Sequence, residues 1–478
     1  MLRFWPLAFL IPLAIRAVPE IIVGPYPVGF DTIAFYVPNT IDWAAGKASV
    51  LGMLGTAPLI YWISVPAYLL SRVNPVWIFK FLGPLLYGCL SLAFFRFLRL
   101  AITWSEKRAL GGTLFASLYF VTLRIGWDLY RNMLGLTFIL LSLPLLQDLK
   151  GLKSELALSV LLLLAVMSDQ LTGVLALVLI GVRVVWSIWN KNGRAFQLVR
   201  VGIPALTLFG VIVYSGTAQG VELVAGQPTV PGSEAVVSSV GFLGYAFLPL
   251  LPLAMIGFRR LRNFETKTWV LFCVLMVLVA LLPFYGLSVA SYRWALLLDI
   301  PLCIYAATGL ARLWEIVGSI SSLSSRLLGR GLPIVPLLLL ISAVLYVALP
   351  AQNAVLYYTA FPGSVPTSMI QSSVPMSDMG SLRGILNWVQ TQMSPQDVLI
   401  THQAIYGWAR AYLPPTEHII NYGDSSPLEG VSIARSDGYS SVWLVWWITG
   451  LGWYGQPSAP SSFTMIFREG NIAVYKYQ

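Results

Sequence analysis

The stretch Leu54-Gly55-Thr56-Ala57-Pro58-Leu59-Ile60-Tyr61-Trp62-Ile63-Ser64-Val65-Pro66-Ala67-Tyr68-Leu69-Leu70 decides how the chain is threaded. It is apolar, but two prolines interrupt it and it falls short of the ~20 residues that a helix needs to cross hydrocarbon. If it crossed, every later loop would change sides. The loops richest in cations are 96–108 (Arg96, Arg99, Lys107, Arg108), 190–200 (Lys191, Arg194, Arg200) and 259–267 (Arg259, Arg260, Arg262, Lys267). Positive loops mark the cytoplasmic side. With the N-terminus inside, these loops are cytoplasmic only if 54–70 does not cross. The stretch is therefore predicted to be a helix lying at, or dipping into, the outer leaflet.

Working outward, apolar runs occur near 4–22, 77–98, 109–123, 132–148, 155–170, 171–189, 201–218, 240–258, 268–288, 294–314 and 332–350. The fold class predicted is a polytopic α-helical membrane protein of about eleven spans, N-terminus cytoplasmic and C-terminus outside. This frame places most of the 30 Lys and Arg on the inner side. Arg16 interrupts the first run and no A-x-A site follows, so it is read as a retained span and not as a signal peptide.

Composition agrees. Of 478 residues, 57% are hydrophobic and only 10% charged, against ~25% charge in soluble domains. The mean hydropathy is +0.76. A water-soluble globule and a disordered chain are excluded, and the continuous runs argue against a β-barrel. The net charge of +10 then follows from topology and does not signal a nucleic-acid partner. Cys89, Cys273 and Cys303 fall inside apolar runs, with neither disulfide nor zinc spacing.

Two domains are expected: 1–350, a membrane bundle with a long outer loop at 24–76 and a Ser-rich linker near 318–331, and 351–478, a small extracytoplasmic α/β domain. The second opens with a Pro-, Ser- and Gly-rich loop at 359–380. Predicted elements are a helix over 378–393 capped by Ser377 or Asp378, a strand at 398–401, a helix at 403–412, and strands at 419–422, 441–447, 463–467 and 472–477. No internal repeat is evident, which weighs against an inverted-repeat transporter.

The chemistry concentrates in Gly24-Pro25-Tyr26-Pro27-Val28-Gly29-Phe30-Asp31-Thr32, directly after the first span. A carboxylate at the end of such a turn can hold a metal ion or accept a proton; the plainer alternative is that Asp31 caps a helix beginning at Thr32. A second outer loop reads Arg124-Ile125-Gly126-Trp127-Asp128-Leu129-Tyr130-Arg131-Asn132. Asp128 could be a second ligand beside Asp31, or could pair with Arg131 at helical i, i+3 spacing. Arg293, in Ser291-Tyr292-Arg293-Trp294, could bind a lipid phosphate or serve as an aromatic-belt anchor with its neighbours. Asp169 and Asp299 are expected in ordinary buried pairings, and Arg16 and Glu20 in an i, i+4 pair. His402 and His418 lack partners for a zinc site.

The order of a span ending Arg16-Ala17-Val18-Pro19-Glu20, then Gly29-Phe30-Asp31 with Tyr36, then a proline-bearing surface helix resembles the first outer loop of the polyprenyl-phosphate-dependent glycosyltransferases of the GT-C fold. The oligosaccharyltransferase catalytic subunit and the protein mannosyltransferases belong to that superfamily. The resemblance implies that Asp31 is the central catalytic carboxylate. It implies that Asp31 and Asp128 hold a divalent ion such as Mg²⁺ or Mn²⁺, and that Arg293, Arg131, Tyr292 and Tyr36 bind substrate. Related families often carry a D-x-D-like pair where this chain has Asp128 alone, which bears on metal dependence. The W-W-D-Y-G signature of oligosaccharyltransferases is absent; Trp446-Trp447 runs on into Ile448.

The function expected is transfer of a sugar from a polyprenyl-phosphate donor to an acceptor at the extracytoplasmic face of a cell membrane. Membrane lipids and the lipid-linked sugar would be its partners. The rival classes are a transporter or lipid flippase, and a GT-C-like scaffold whose site has decayed. No Gly-rich loop of P-loop or Rossmann type opens a helix, so nucleotide chemistry is not expected.

Overall fold

The computed structural model describes residues 3–218, 232–280, 288–319, 334–348, 372–414, 418–423, 425–449 and 459–478. The predicted linker near 318–331 and the opening of the loop at 359–380 lie largely outside them.

The first helix, α1 (Trp5–Ile22), ends at the turn that carries Asp31. A π-helical turn (Thr32–Tyr36) runs into α2 (Val37–Ala44), followed by α3 (Val50–Gly55) and α4 (Leu59–Ser71). Pro38 has no N–H to donate to Ala34, and Val37 N–H instead reaches the Thr32 carbonyl, which widens the turn. At 13 residues, α4 is about 20 Å long at 1.5 Å per residue. It is too short to cross, as its prolines and length foretold.

The bundle continues with α5 (Pro75–Leu100), α6 (Glu106–Leu118), α7 (Phe120–Asp128), α8 (Tyr130–Gln147), α9 (Gly151–Ser168), α10 (Gln170–Trp189), α11 (Ala195–Ala218), α12 (Gly232–Phe247), α13 (Leu251–Arg260), α14 (Phe264–Ala280), α15 (Ser288–Ser319) and α16 (Ile334–Ala348). Six described helices are long and apolar enough to cross a membrane: α1, α5, α9, α10, α11 and α15. Two bent pairs, α6 with α7 at 71° and Val240–Phe247 with α13 at 73°, raise this to eight. The chain is thus a multi-pass membrane protein. The eleven expected spans compare with six to eight by this measure; α8, α14 and α16 are apolar helices beyond it. The bends were not foreseen. Runs 109–123 and 240–258 read as continuous, yet Tyr119 adopts an extended conformation (ψ 131°) between α6 and α7.

The C-terminal segment holds α17 (Met376–Gln392), α18 (Gln403–Tyr412), α19 (Pro427–Ser436) and a five-stranded sheet. Its strands are β1 (Asp397–Thr401), β2 (Ile419–Asn421), β3 (Ser441–Trp447), β4 (Phe463–Glu469) and β5 (Ile472–Tyr477), in the order β2-β1-β3-β5-β4. β1 is parallel to β2 and β3, and β5 is antiparallel to β3 and β4. The central strands β1 and β3 are almost wholly buried, which matches their continuous apolar runs. The predicted strands are all present, and α19 is an addition. Neither Ser377 nor Asp378 caps α17, whose cap position is Pro375; Asp378 instead accepts the indole N–H of Trp447 at 2.8 Å.

The C-terminal unit rests on the loop that carries Asp31. A Cβ at Gly407 in α18 would stand 2.0 Å from the Ile33 carbonyl oxygen, so only glycine permits this approach. Arg410 of α18 pairs with Asp42 of α2, and the rings of Tyr26 and Trp408 lie 6.4 Å apart.

Candidate active site

Two segments meet where α1 ends and α7 gives way to α8. Gly29 adopts φ +96°, and a Cβ there would lie 2.3 Å from Cβ of Asp128. Glycine is required on both counts. The approach lets the backbone N–H of Asp31 donate to Oδ2 of Asp128 at 3.0 Å. Oδ1 of Asp128 accepts from Arg124, one helical turn earlier, and both side chains are buried.

The alternative that Asp31 merely caps its helix is not what the structure shows. Asp31 is itself helical and its side chain caps nothing; the carboxylate that receives this helix start is Asp128. Nor does Asp128 pair with Arg131. Leu129 (φ −86°, ψ 58°) breaks the helix between them, so i, i+3 spacing no longer places them on one face. The partner is Arg124, at a spacing of four within α7. That signal was present in the sequence, and the helix break after Asp128 was not.

The Asp31 carboxyl is half-buried. Burial, and then the neighbouring Asp128 carboxylate, push it up from its ordinary 3.8 to about 6, against the pull of Arg124, Arg293 and Arg131. Arg293 is exposed near the start of α15. Its neighbour Trp294 is buried, edge-on to Phe272 at 5.3 Å. The side chain of Tyr292 lies outside the described residues. Arg131 donates to the Thr56 carbonyl. Tyr36 is buried among Tyr130, Phe79 and Tyr61, with ring centroids at 5.0, 5.6 and 6.3 Å. Burial keeps its hydroxyl protonated. The structure therefore gathers Asp31, Asp128, Arg131 and Arg293 at one end of the bundle, with Tyr36 buried beside Asp31 and Arg131.

Sequence reasoning missed the frame behind these groups. Buried Arg16 donates from Nε to the Gly126 carbonyl at 2.7 Å and also reaches that of Trp127. It pairs with Glu20 at 2.8 Å, as its spacing foretold. Lys80 of α5 closes the array, bridging the Glu20 carboxylate at 2.9 Å and the Tyr26 carbonyl at 3.0 Å. Thr32 and Tyr130 exchange a hydrogen bond at 2.9 Å. Elsewhere the expected buried pairings hold. Asp169 caps α10 through the Thr172 N–H at 3.0 Å and accepts from Asn132, and Asp299 is buried against Thr122 and Cys303.

Among the described residues no three His, Cys, Asp or Glu side chains converge as a metal cage. Mg²⁺ sites commonly use one or two carboxylates and complete their shell with substrate phosphate and water. Asp128 spends both oxygens on N–H donors, which leaves Asp31 as the carboxylate better placed to meet an ion.

The solved structures give a fold. The crystal structure of ArnT from Cupriavidus metallidurans in the apo state superposes with a TM-score of 0.55 at 13% identity, covering 98% of this chain and 97% of that one. The chain therefore has the ArnT-like GT-C fold. No protein-family model and no curated protein matches it.

Proposed function

We propose that this membrane protein is a glycosyltransferase that uses a polyprenyl-phosphate sugar as donor, acting at the extracytoplasmic face. The single observation that carries the reading is a half-buried carboxyl, Asp31, set among arginines at one end of a GT-C bundle and raised to about 6. Arg131 and Arg293 both act on Asp31, and guanidinium groups set beside it suit recognition of a lipid phosphate. The membrane supplies the donor's hydrocarbon tail a solvent, and the arginines its anionic head. The distribution of cationic loops in the sequence supports an outer position for this end.

In the reaction the acceptor hydroxyl attacks the anomeric carbon from the face opposite the phosphate. The new carbon–oxygen bond forms as the anomeric carbon–phosphate oxygen bond breaks, and the polyprenyl phosphate leaves with the electron pair. Asp31 takes the hydroxyl proton, a task that favours a base whose pKa lies near the working pH. Arg293, assisted by Arg131, holds the phosphate and balances the charge it gains. Tyr36, packed against Tyr130, Phe79 and Tyr61, backs the site. A divalent ion held by Asp31 would supply the same charge balance. Asp128 fixes the start of the Asp31 helix, which places the base.

A transporter requires its polar groups near mid-membrane in two related halves. Asp31, Asp128, Arg124, Arg131 and Arg293 instead act on one another at one end of the bundle. The direct test is to incubate membranes containing the protein with a panel of polyprenyl-phosphate sugars. Consumption of one donor, lost in Asp31→Asn although the protein still inserts, supports the reading. Consumption that survives Asp31→Asn removes Asp31 from the mechanism.

A further inference from the structure

Behind the Asp31 site lie three buried charges, Arg16, Glu20 and Lys80, and the transfer step above uses none of them. Glu20 sits between the two cations, 2.8 Å from a terminal nitrogen of Arg16 and 2.9 Å from Nζ of Lys80. Withdrawing charges from water is costly, and well-packed apolar residues in their place often leave a fold as stable or more so. Stability alone is therefore a poor account of this triad.

The carbonyls it reaches give a better one. An ammonium has three N–H bonds to donate. Those of Lys80 go to the Glu20 carboxylate, the Glu20 carbonyl and the Tyr26 carbonyl, at 2.9, 2.9 and 3.0 Å. The first two bind α5 to the last turn of α1, and the third takes hold of the turn that leads to Asp31. Arg16 works on the facing segment. The helix break at Leu129 leaves the final carbonyls of α7 without helical donors. Arg16 supplies two, from Nε to Gly126 at 2.7 Å and from a terminal nitrogen to Trp127, the residue before Asp128. Gly83 of α5 leaves room for this, since a Cβ there would stand 3.2 Å from the Arg16 guanidinium. One carboxylate thus links a cation that holds the Asp31 turn to a cation that holds the Asp128 segment. The bond from the Asp31 N–H to Asp128 closes the same joint.

We propose that Arg16, Glu20 and Lys80 form a positioning clamp that sets the Asp31 turn against the end of α7. The three act through the backbone of the two loops. That this placement serves sugar transfer rests on the glycosyltransferase reading; the hold on the turn does not.

The test compares the full chain in lipid nanodiscs with its Lys80→Met variant. Methionine is of similar length and gives up the Tyr26 carbonyl, while Glu20 keeps Arg16 and no charge is stranded. The melting temperature should therefore stay at the parent value. Amide hydrogen exchange in residues 24–31 should quicken about fivefold or more, with the rest of α1 unchanged. For the polyprenyl-phosphate sugar that the parent consumes, kcat should fall by roughly 10–100-fold while KM stays within about twofold, because a displaced base costs rate and not donor binding. A control variant, Arg183→Met with Glu265→Gln, breaks another buried pair, between α10 and α14, and should leave kcat and the exchange of 24–31 as they were. Unchanged exchange in 24–31, undiminished kcat, or an equal effect of the control overturns the clamp. So does a fall in melting temperature with exchange raised throughout the bundle, which would make Lys80 merely structural. A parent that consumes no donor sinks the transferase reading, and exchange alone then decides the hold on the turn. Normal parental turnover with exchange indifferent to Lys80→Met spares the transferase and sinks the clamp.

Discussion

The backbone N–H of Asp31 donates to Oδ2 of Asp128 at 3.0 Å, and this bond joins two loops almost a hundred residues apart in the chain. It gives the two acids different work. Asp128 is spent on Arg124 and on the Asp31 amide, while the Asp31 side chain remains the one available to a substrate.

Asp31→Asn keeps the backbone bond and removes the proposed base. Turnover should fall by ~10²–10⁴-fold, the usual contribution of a positioned base. The folded-state value of about 6 lies above the ordinary 3.8, so the fold favours the protonated acid. Its stabilising contribution is full below about pH 4 and is lost as pH rises through about 6. At pH 7.5 the Asn variant should therefore melt at the same temperature as the parent or higher, measured by thermal unfolding in detergent. A large drop in melting temperature would show Asp31 to be structural.

The same value sets a pH profile. A base must be deprotonated, so kcat/KM for transfer should climb about tenfold per pH unit below about 6 and level off above it. A profile flat from pH 5 to 8 would remove Asp31 as the proton acceptor.

Gly29→Ala places a Cβ where the Asp128 side chain already is, at a φ of +96°. It should cost ~1–3 kcal/mol in strain and pull the Asp31 helix start off Asp128, lowering kcat more than it raises KM. Ordinary turnover in this variant would mean that the loop junction tolerates movement.

Arg124→Leu leaves the Asp128 charge buried without its guanidinium, at a cost of ~3–5 kcal/mol. Arg124→Leu combined with Asp128→Asn should recover much of that loss, because no charge is then stranded. Expression level and melting temperature of the two variants, side by side, measure the difference.

Chelation separates the two roles open to Asp31. With Asp31 as base, donor consumption persists in excess EDTA; loss of activity restored by Mg²⁺ or Mn²⁺ would make it an ion ligand.

What the amino-acid order determined by itself was whatever depends on local apolar pattern, charge and turn chemistry. The membrane runs, the short proline-bearing α4, the Arg16–Glu20 spacing and the strands of the C-terminal sheet could all be read because each is a property of neighbours along the chain. The turn before Asp31 was legible for the same reason, marked by its Pro and Gly residues. Tertiary structure alone decided which acid is spent and which is available. A helix break at Leu129 turned Asp128 from Arg131 toward Arg124, and the bare backbone of Gly29 let two distant loops touch. The buried bonds of Arg16 and Lys80 to loop carbonyls, and the Asp42–Arg410 pair between α2 and α18, likewise join groups whose separation in sequence carries no signal. Hydrogen bonds and burial act through space, and the chain reveals that space only when it is folded.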